Sequence, residues 1–244
     1  MERQDKMKIT IAHLYPDLLN LYGDRGNITS LVYRLKKRGI EAVVNEYELS
    51  DNINFEDTDI IFIGGGSDRE QLLVCNRLRE FKDEIKNYAD RGGCIVAVCG
   101  GYQLLGKYYK LENETVPGIE LLDIYTEQGS GRLIGNIVLE SELTGDKIVG
   151  FENHGGRTYI NSHKPLGKVV YGFGNNDSHD YEGVVWKNVI GTYLHGTLFP
   201  KNPKLADYVI QKAIERRYGD FELVPLDDKI EYMAHDYIVN KYHD

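Results

Sequence analysis

Short apolar runs alternate with amphipathic segments along the first half of the chain. Three runs rich in β-branched residues end in glycine, cysteine or a polar residue: KITIAHL (8–14), DIIFIG (59–64) and CIVAVC (94–99). Runs of this kind are typical of buried parallel strands. Apolar residues at helical spacing fill NITSLVYRLKKRG (27–39) and SDREQLLVCNRLREFKDEIKNYADRGG (67–93), which predicts two helices that stop at glycine. The alternation predicts an α/β fold with a doubly wound, mostly parallel sheet flanked by helices.

The pattern changes after residue 110 to shorter strand-like pieces separated by glycine-rich turns. These pieces are RLIGNIVLES, GKVVYGFG, EGVVWKN and VIGTYLHG. Helical periodicity returns in 202–219 and 227–244. Because neither an internal repeat nor a long linker separates the halves, we expect a single domain over 1–244, with 220–244 as a helical extension.

Composition and charge narrow the classes of protein that this chain can belong to. The 244 residues are 41% hydrophobic and 27% charged, as in an ordinary folded protein, and the net charge of -9 disfavours nucleic acid or an anionic membrane as partner. The amino-terminal stretch is charged and no run approaches the ~20 apolar residues of a membrane span, so we expect a cytoplasmic protein. Three cysteines without framework spacing indicate reduced thiols.

Cys99 stands where a predicted strand turns into a helix at two glycines, in IVAVCGGYQLLG (95–106). Such a corner is typical of a nucleophile elbow, which exposes one side chain at the edge of a sheet. The start of the predicted helix GYQLLGKYY would favour the thiolate. A buried, inert cysteine is an equally good interpretation of this stretch alone. Cys75, within a helix, and Cys94, at a strand start, are interpreted as core residues.

A thiolate nucleophile needs a general acid/base within hydrogen-bond reach, and histidine is the usual one. His195 ends the apolar run VIGTYLHG just before a glycine, so it should lie at the carboxyl edge of the sheet. His154, in GFENHGGRT, follows another predicted strand. The other histidines lack such context and are interpreted as satisfied structural residues: His13, His163, His179, His235 and His243.

Two glycine-rich corners should lie at the same edge of the sheet. GGGSD (64–68) and CGGYQ (99–103) each follow a predicted parallel strand, and ligands bind beyond the carboxyl ends of such strands. Neither a G-x-G-x-x-G nor a P-loop lysine pattern is present, so a nucleotide site is weakly indicated. A glycine amide opposite Cys99 would instead complete an oxyanion hole with the amide of Gly100.

Several motifs together resemble a known family. VCGGYQLLG, followed about a hundred residues later by GTYLHGTLFP, resembles the triad-type glutamine amidotransferases of the cobyric acid synthase branch. The ordered set LYGDRGN, IFIGGGSDREQ, CGGYQ, GFENHGGRT, GFGNND and GTYLHG is more similar still to one group in that branch, the glutaminase subunits of lipid II isoglutaminyl synthase. This similarity runs from about residue 8 to about residue 217.

The resemblance implies a fold, a reaction and a partner. The fold would be the flavodoxin-like fold of class I glutamine amidotransferases. The chain would hydrolyse L-glutamine to glutamate and ammonia through a cysteine thioester. Ammonia would pass to a Mur-ligase-like synthetase subunit, which would use ATP and Mg to amidate the α-carboxyl of D-glutamate in lipid II. We expect a heterodimer with that subunit and neither metal nor other cofactor in this chain.

The resemblance also assigns roles to residues. Cys99 would be the nucleophile and His195 the general acid/base, with the oxyanion held by amides near Gly65 and Gly100. Arg132, in GSGRLIG, would bind the α-carboxylate of glutamine through its guanidinium fork. Gln103 would either contact the bound glutamine or serve as a capping or structural residue.

One departure concerns the group that orients the imidazole of His195. Many triad amidotransferases carry a glutamate two residues after this histidine, whereas here Gly196 and Thr197 follow. We hypothesise a carboxylate from the synthetase partner, with Glu152 as the internal candidate.

Three other functions remain open. The chain could be the glutaminase of another enzyme of the branch, although 244 residues leave no room for the synthetase domain that is usually fused to it. It could be a catalytically silent subunit, against which the presence of Cys99 and His195 argues. It could be a cysteine peptidase on a related sheet, which would not need Arg132.

Overall fold

The computed structural model describes residues 7–20, 23–111 and 114–242. Tyr22 and Leu21, which belong to the motif LYGDRGN, therefore lie outside the described residues, as does His243. The helices are α1 (Arg25–Lys37), α2 (Asp68–Glu80), α3 (Lys82–Asp90), α4 (Gly100–Leu104), α5 (Pro203–Tyr218) and α6 (Lys229–Lys241). The strands are β1 (Lys8–Leu14), β2 (Glu41–Tyr47), β3 (Ile60–Ile63), β4 (Cys94–Val98), β5 (Tyr108–Lys110), β6 (Thr115–Pro117), β7 (Tyr125–Ser141), β8 (Asp146–Tyr159), β9 (Gly167–Tyr171), β10 (Tyr181–Glu182), β11 (Val184–Trp186) and β12 (Val189–Thr192).

The first sheet has the order β11-β12-β4-β3-β1-β2. All its neighbouring strands pair in parallel except β11, which runs antiparallel to β12 at the edge. The central strands β3 and β4 are buried along their whole length, as their continuous apolar runs predict. The doubly wound, mostly parallel sheet flanked by helices is confirmed. The edge strand β2, EAVVNEY, carries polar residues and is not found by a search for apolar runs.

The helices differ from the predicted ones in two places. The single helix predicted over 67–93 is wrong: the chain leaves helical geometry at Phe81, between α2 and α3. The Phe81 ring lies edge-on to the Phe55 ring, with 5.9 Å between the two centroids. The helix after Cys99 is only five residues long, because the chain turns at Gly106 against Ile124 and enters β5.

The second sheet has the order β10-β9-β7-β5-β6, with β8 paired to β7. Strands β7 and β8 form a long antiparallel hairpin whose register shifts between Gln128 and Leu133. An isolated bridge between Phe151 of β8 and His195 joins this hairpin to the first sheet. The hairpin therefore reaches the edge of the first sheet at which β3, β4 and β12 end.

The last two helices pack back onto α1. Arg34 of α1 is buried and binds Asp207 of α5 and the Asp228 carboxylate that precedes α6. The ring of Tyr242, just after α6, stacks on Tyr171 of β9 at 4.4 Å. The two predicted C-terminal helices are confirmed, while the single domain over 1–244 stays a prediction. None of the described helices has the length and apolar character needed to span a membrane.

Candidate active site

Cys99 occupies the corner between β4 and α4. Its backbone has φ 51° and ψ -107°, and its N–H donates a hydrogen bond to Thr192 O at 2.8 Å. A non-glycine residue held at such angles stores on the order of 1–3 kcal/mol of strain, which the surrounding structure must offset. The Cys99 side chain is 8% exposed, against complete burial of the neighbouring Val98. The strand-to-helix corner that the sequence predicts is therefore present, in a strained form.

Gly65, Cys99 and His195 converge at the carboxyl edge of the sheet. A Cβ atom placed on Gly65 would lie 3.1 Å from Cys99 Cβ and 3.5 Å from His195 Cε1. A side chain at position 65 would thus crowd the side chains of both Cys99 and His195. The predicted neighbourhood of the two glycine-rich corners is confirmed, since the Gly101 N–H donates to Gly64 O at 3.2 Å.

His195 is 1% exposed, and its backbone N–H donates to Phe151 O at 2.7 Å. Burial, reinforced by the charges of His154 and Arg132, lowers the pKa of His195 to about 3, although a hydrogen bond with the Asn153 backbone acts in the opposite direction. The imidazole is consequently neutral at physiological pH. A neutral imidazole has the lone pair that a general base needs to take a proton from a thiol or from water.

The Gly65 amide, a predicted oxyanion donor, is bound by a carboxylate, and its oxyanion role stays a prediction. Its N–H donates to Asp24 Oδ2 at 2.8 Å, so in this arrangement it is engaged by a carboxylate and not available to an oxyanion. Burial raises the pKa of Asp24 to about 6, while the bond from Gly65 acts to lower it. Gln71 also binds this glycine loop, residues 64–67, because its Nε2 donates to Gly66 O at 3.0 Å.

The Gly100 amide is the other predicted oxyanion donor, and that role likewise stays a prediction. Gly100 is the first residue of α4, where amides have no intrahelical carbonyl to bind. A Cβ on Gly100 would lie 2.6 Å from atoms of the Gln71 side chain, so a larger residue there would displace Gln71. Because α4 is only five residues long, few peptide dipoles align to favour a negative charge at its start.

Arg132 lies within the irregular part of β7, between the two register positions that flank its bulge. The exposed guanidinium is fixed by Asn153 of β8: Nε donates to Asn153 Oδ1 and Nη2 to Asn153 O, both at 2.8 Å. The charge of Arg132 contributes to the lowered pKa of His195. An arginine fixed in this way presents its remaining N–H groups to a carboxylate.

Gln103 is buried, and its Nε2 donates to Tyr193 Oη at 3.1 Å. The Tyr193 hydroxyl also shares a 2.6 Å hydrogen bond with Thr158 Oγ1. The Tyr193 ring stacks on the His154 ring, with 3.6 Å between centroids and 4° between planes. Of the two roles left open for Gln103, these contacts favour the structural one.

Glu152 is fully buried inside the second sheet. Its two oxygens accept hydrogen bonds from the N–H groups of Phe173 at 2.7 Å and Gly174 at 2.9 Å, and Oε2 lies 3.6 Å from His154 Nε2. Glu152 therefore braces the turn after β9 and faces His154. These contacts argue against the hypothesis that Glu152 orients His195.

The two remaining cysteines are core residues, as predicted. Cys75 Sγ donates to Pro117 O at 2.6 Å, and burial raises the pKa of its thiol. Burial likewise raises the pKa of Cys94 to about 12. Among the residues that the structure describes, no cluster of three or more His, Cys, Asp or Glu side chains is arranged to hold a metal ion.

Sequence reasoning missed the residues that hold the site in place. Asp24 binds the glycine loop and Asn153 fixes Arg132. Asp24 belongs to the quoted motif LYGDRGN and Asn153 to GFENHGGRT, so their presence in ordered motifs was the available signal.

Comparison with known proteins places these observations in a family. The family model for CobB/CobQ-like glutamine amidotransferase domains matches residues 10–203. The chain is 46% identical over 235 residues to the lipid II isoglutaminyl synthase (glutamine-hydrolyzing) subunit GatD of Staphylococcus aureus strain N315, with 96% of both chains covered. It is 41% identical to the subunit of the same name from Streptococcus pneumoniae R6, with 91% of this chain and 86% of that one covered.

Solved structures share the fold at low sequence identity. A glutamine amidotransferase from Thermotoga maritima aligns with a TM-score of 0.55 and 12% identity, covering 95% of this chain and 94% of that one. The glutaminase domain of Trypanosoma brucei CTPS with bound acivicin aligns with a TM-score of 0.54 and 11% identity, covering 88% and 96%. The resemblance found in the motifs is thus confirmed over most of the chain, and the chain belongs to the CobB/CobQ-like glutamine amidotransferase family.

Proposed function

We propose that this chain is the glutaminase subunit of a lipid II isoglutaminyl synthase. It hydrolyses L-glutamine to glutamate and ammonia, and the ammonia amidates the α-carboxyl of D-glutamate in lipid II to give D-isoglutamine. The observation that carries the proposal is the convergence of Cys99 and His195 on the glycine at position 65. The 46% identity to a subunit of that name supports the choice of acceptor.

Glutamine hydrolysis follows from the properties of these two side chains. Neutral His195 takes the proton of the Cys99 thiol, and the thiolate attacks the carboxamide carbon of glutamine to form a C–S bond. The imidazolium then protonates the departing nitrogen, the C–N bond breaks and ammonia leaves a thioester. His195 next takes a proton from water, whose oxygen attacks the thioester carbon. The C–S bond then breaks, glutamate leaves, and the imidazolium returns the proton to the sulfur to restore the thiol.

The tetrahedral intermediates need donors for their oxyanion, and Gly100 supplies one of them in this proposal. The second donor would be another amide of the glycine loop near Gly65, since the Gly65 N–H itself is bound by Asp24. Arg132 binds the α-carboxylate of glutamine with the N–H groups that Asn153 leaves unused. We assign no metal or cofactor to this chain.

The partner in this proposal is a Mur-ligase-like synthetase subunit, which holds ATP and Mg and forms a heterodimer with this chain in the cytoplasm. A carboxylate of that subunit orients His195. Glu152 already contacts Phe173, Gly174 and His154. These contacts support a carboxylate of the synthetase subunit over Glu152 as the group that orients His195. Ammonia release by the isolated chain at the full rate of the complex would reject the partner carboxylate.

The alternative of another cobyric acid synthase-like enzyme fits the comparisons less well. The chain is 31% identical to a probable cobyric acid synthase of Methanothermobacter thermautotrophicus, of which it spans only 39%. The relatives named as lipid II isoglutaminyl synthase subunits are instead matched along 86% or more of their length. A silent subunit would not need the strained corner at Cys99.

Covalent labelling tests the proposed function. The complex is treated with a glutamine-analogue electrophile and digested for mass spectrometry, with and without excess L-glutamine. We expect the label on Cys99, protection by L-glutamine, and none on the core residues Cys75 and Cys94. Labelling that L-glutamine does not reduce would reject a glutamine site at Cys99.

A further inference from the structure

The segment at the start of α1 contacts both loops that flank Cys99. Asp24 Oδ2 accepts the N–H of Gly65 in the glycine loop at 2.8 Å. Asn27 Oδ1 accepts the N–H of Phe199 at 3.0 Å, just beyond the turn that follows His195. One short segment, 24–27, therefore binds a loop on each side of the nucleophile.

A third contact lies between these two hydrogen bonds. A Cβ atom on Gly26 would collide with the side chain of Thr197, so the backbone of α1 lies directly against the turn after His195. That turn has Gly196 at φ 67° and Thr197 at φ 53°. Threonine is disfavoured at positive φ, so the turn keeps this shape only because neighbouring structure holds it.

Burial makes these contacts costly to arrange. Asp24 is 0% exposed and Asn27 is 1% exposed. Within the described part of the chain, Asp24 Oδ1 has no hydrogen-bond partner. A buried carboxylate with one hydrogen bond is a poor device for stability, because desolvation outweighs what a single bond returns. Its placement against Gly65 is better explained by the geometry that it imposes on the glycine loop.

We propose that Asp24 and Asn27 are positioning residues for the two halves of the reaction. Asp24 fixes the path of the glycine loop, and with it the oxyanion side of the site. Asn27 fixes the turn after His195, and with it the acid/base side. The inference rests on the proposed glutaminase function and deepens it, since it accounts for a motif, LYGDRGN, to which the reaction itself assigns no role.

Steady-state hydrolysis of glutamine by the complex with the synthetase subunit tests both residues. We expect Asp24→Ala and Asn27→Ala each to lower kcat about 100-fold, as loss of an oxyanion donor or a misplaced base does, with KM changed less than about threefold. Asp24→Asn keeps an acceptor for the Gly65 amide and is expected to stay within about fivefold of wild type. Asp24→Glu moves the acceptor by one methylene and should lower kcat like Asp24→Ala, which keeps the test open if the alanine variant does not fold.

Alkylation of Cys99 by iodoacetamide distinguishes the oxyanion side, assigned to Asp24, from the acid/base side, assigned to Asn27. This displacement forms no oxyanion but needs the thiolate that His195 generates. Asp24→Ala should therefore leave the alkylation rate within about twofold of wild type, whereas Asn27→Ala should lower it about tenfold. Equal effects of both variants on alkylation, or a change confined to KM, would overturn the assignment.

Amide hydrogen exchange measures the positioning without any reference to glutamine. Asp24→Ala should speed exchange in the glycine loop, 64–67, and Asn27→Ala should speed exchange in the turn, 196–199, each leaving the other loop unchanged. Unchanged exchange in both loops would overturn the proposal even if the enzyme is a glutaminase. A wild-type complex that does not hydrolyse glutamine would instead reject the proposed function, with the exchange data still deciding the positioning.

Discussion

At the scale of single residues, the site depends on positions where only one kind of residue fits. Cys99 combines a side chain that the chemistry needs with a backbone at φ 51° that glycine would adopt more easily. Gly65 has the opposite requirement, since any side chain there approaches both Cys99 Cβ and His195 Cε1. Stability and activity therefore favour different residues at position 99.

Replacement of Cys99 by glycine or alanine measures the strain at the corner. Both variants lack the thiol, but only glycine adopts φ 51° and ψ -107° without cost. We expect the free energy of unfolding of Cys99→Gly to exceed that of Cys99→Ala by about 1 kcal/mol, as measured by urea denaturation. An alanine variant as stable as the glycine variant would mean that the corner stores no strain.

A methyl group at position 65 should separate the nucleophile from its base. Because the added Cβ would lie 3.1 Å from Cys99 Cβ, we expect Gly65→Ala to lower kcat for glutamine about 100-fold through displacement of reacting groups. Gly135→Ala is the matched control, since its Cβ would meet only Phe173 Cε2 at an ordinary 3.7 Å. Equal activity of the two variants would show that position 65 tolerates a side chain.

His13 makes stability depend on pH. The sequence predicts a satisfied structural histidine here, but both ring nitrogens of His13 are buried and lack a hydrogen-bond partner within 7–20, 23–111 and 114–242. Burial, with a smaller effect of Arg25, lowers its pKa from 6.5 to about 4. Between these values the unfolded chain binds the proton and the folded chain does not, so the free energy of unfolding decreases as pH falls below 6.5.

Substitution of His13 should remove this decrease in the free energy of unfolding at low pH. From pH 7 to pH 4 we expect the free energy of unfolding of wild type to fall on the order of 2 kcal/mol further than that of His13→Leu, measured by denaturant titration at each pH. The exposed His179, replaced by glutamine, is the control and should follow wild type. Parallel pH curves for wild type and His13→Leu would contradict the buried, unprotonated state of His13.

At the scale of elements, the β7–β8 hairpin serves the site through its irregularity. The register shift between Gln128 and Leu133 releases Arg132 from regular pairing, and Asn153 on β8 then holds the guanidinium. The sequence predicts a strand from Arg132 to Ser141 but not the bulge that precedes it, because a bulge depends on the pairing of two strands.

Loss of the Asn153 side chain should therefore act through Arg132. We expect Asn153→Ala to raise KM for glutamine about tenfold with a smaller effect on kcat, because one charge-assisted hydrogen bond that orients the guanidinium is lost. The double variant with Arg132→Ala should have the KM of Arg132→Ala alone. Additive effects of the two substitutions in steady-state kinetics would show that Asn153 acts elsewhere.

The sequence pattern predicts the buried strands but not the points at which helices end. The strands β1, β3 and β4 are predictable because a buried parallel strand needs a continuous apolar run. The break at Phe81 and the end of α4 at Leu104 are not, since each depends on packing against a distant residue, Phe55 in one case and Ile124 in the other. Apolar periodicity records which face is buried and not where the chain turns.

At the scale of the whole molecule, motifs predict the site's chemistry and tertiary contacts decide its geometry. Cys99 and His195 were found because each ends a strand at a glycine. Asp24 and Asn27 were not, because their partners Gly65 and Phe199 lie 41 and 172 positions away. No local pattern encodes hydrogen bonds of that range, and for the same reason the sequence could not show that the Gly65 amide is engaged.

The central claim is that Cys99 releases from glutamine the nitrogen that a synthetase partner uses. The direct test is amidation of lipid II by the purified complex with ATP, comparing glutamine with ammonium as the nitrogen source for wild type and Cys99→Ala. We predict that wild type uses either nitrogen source and that Cys99→Ala uses ammonium alone. Only the release of ammonia from glutamine requires the Cys99 thiol. Amidation by Cys99→Ala with glutamine as the sole nitrogen source would contradict the account.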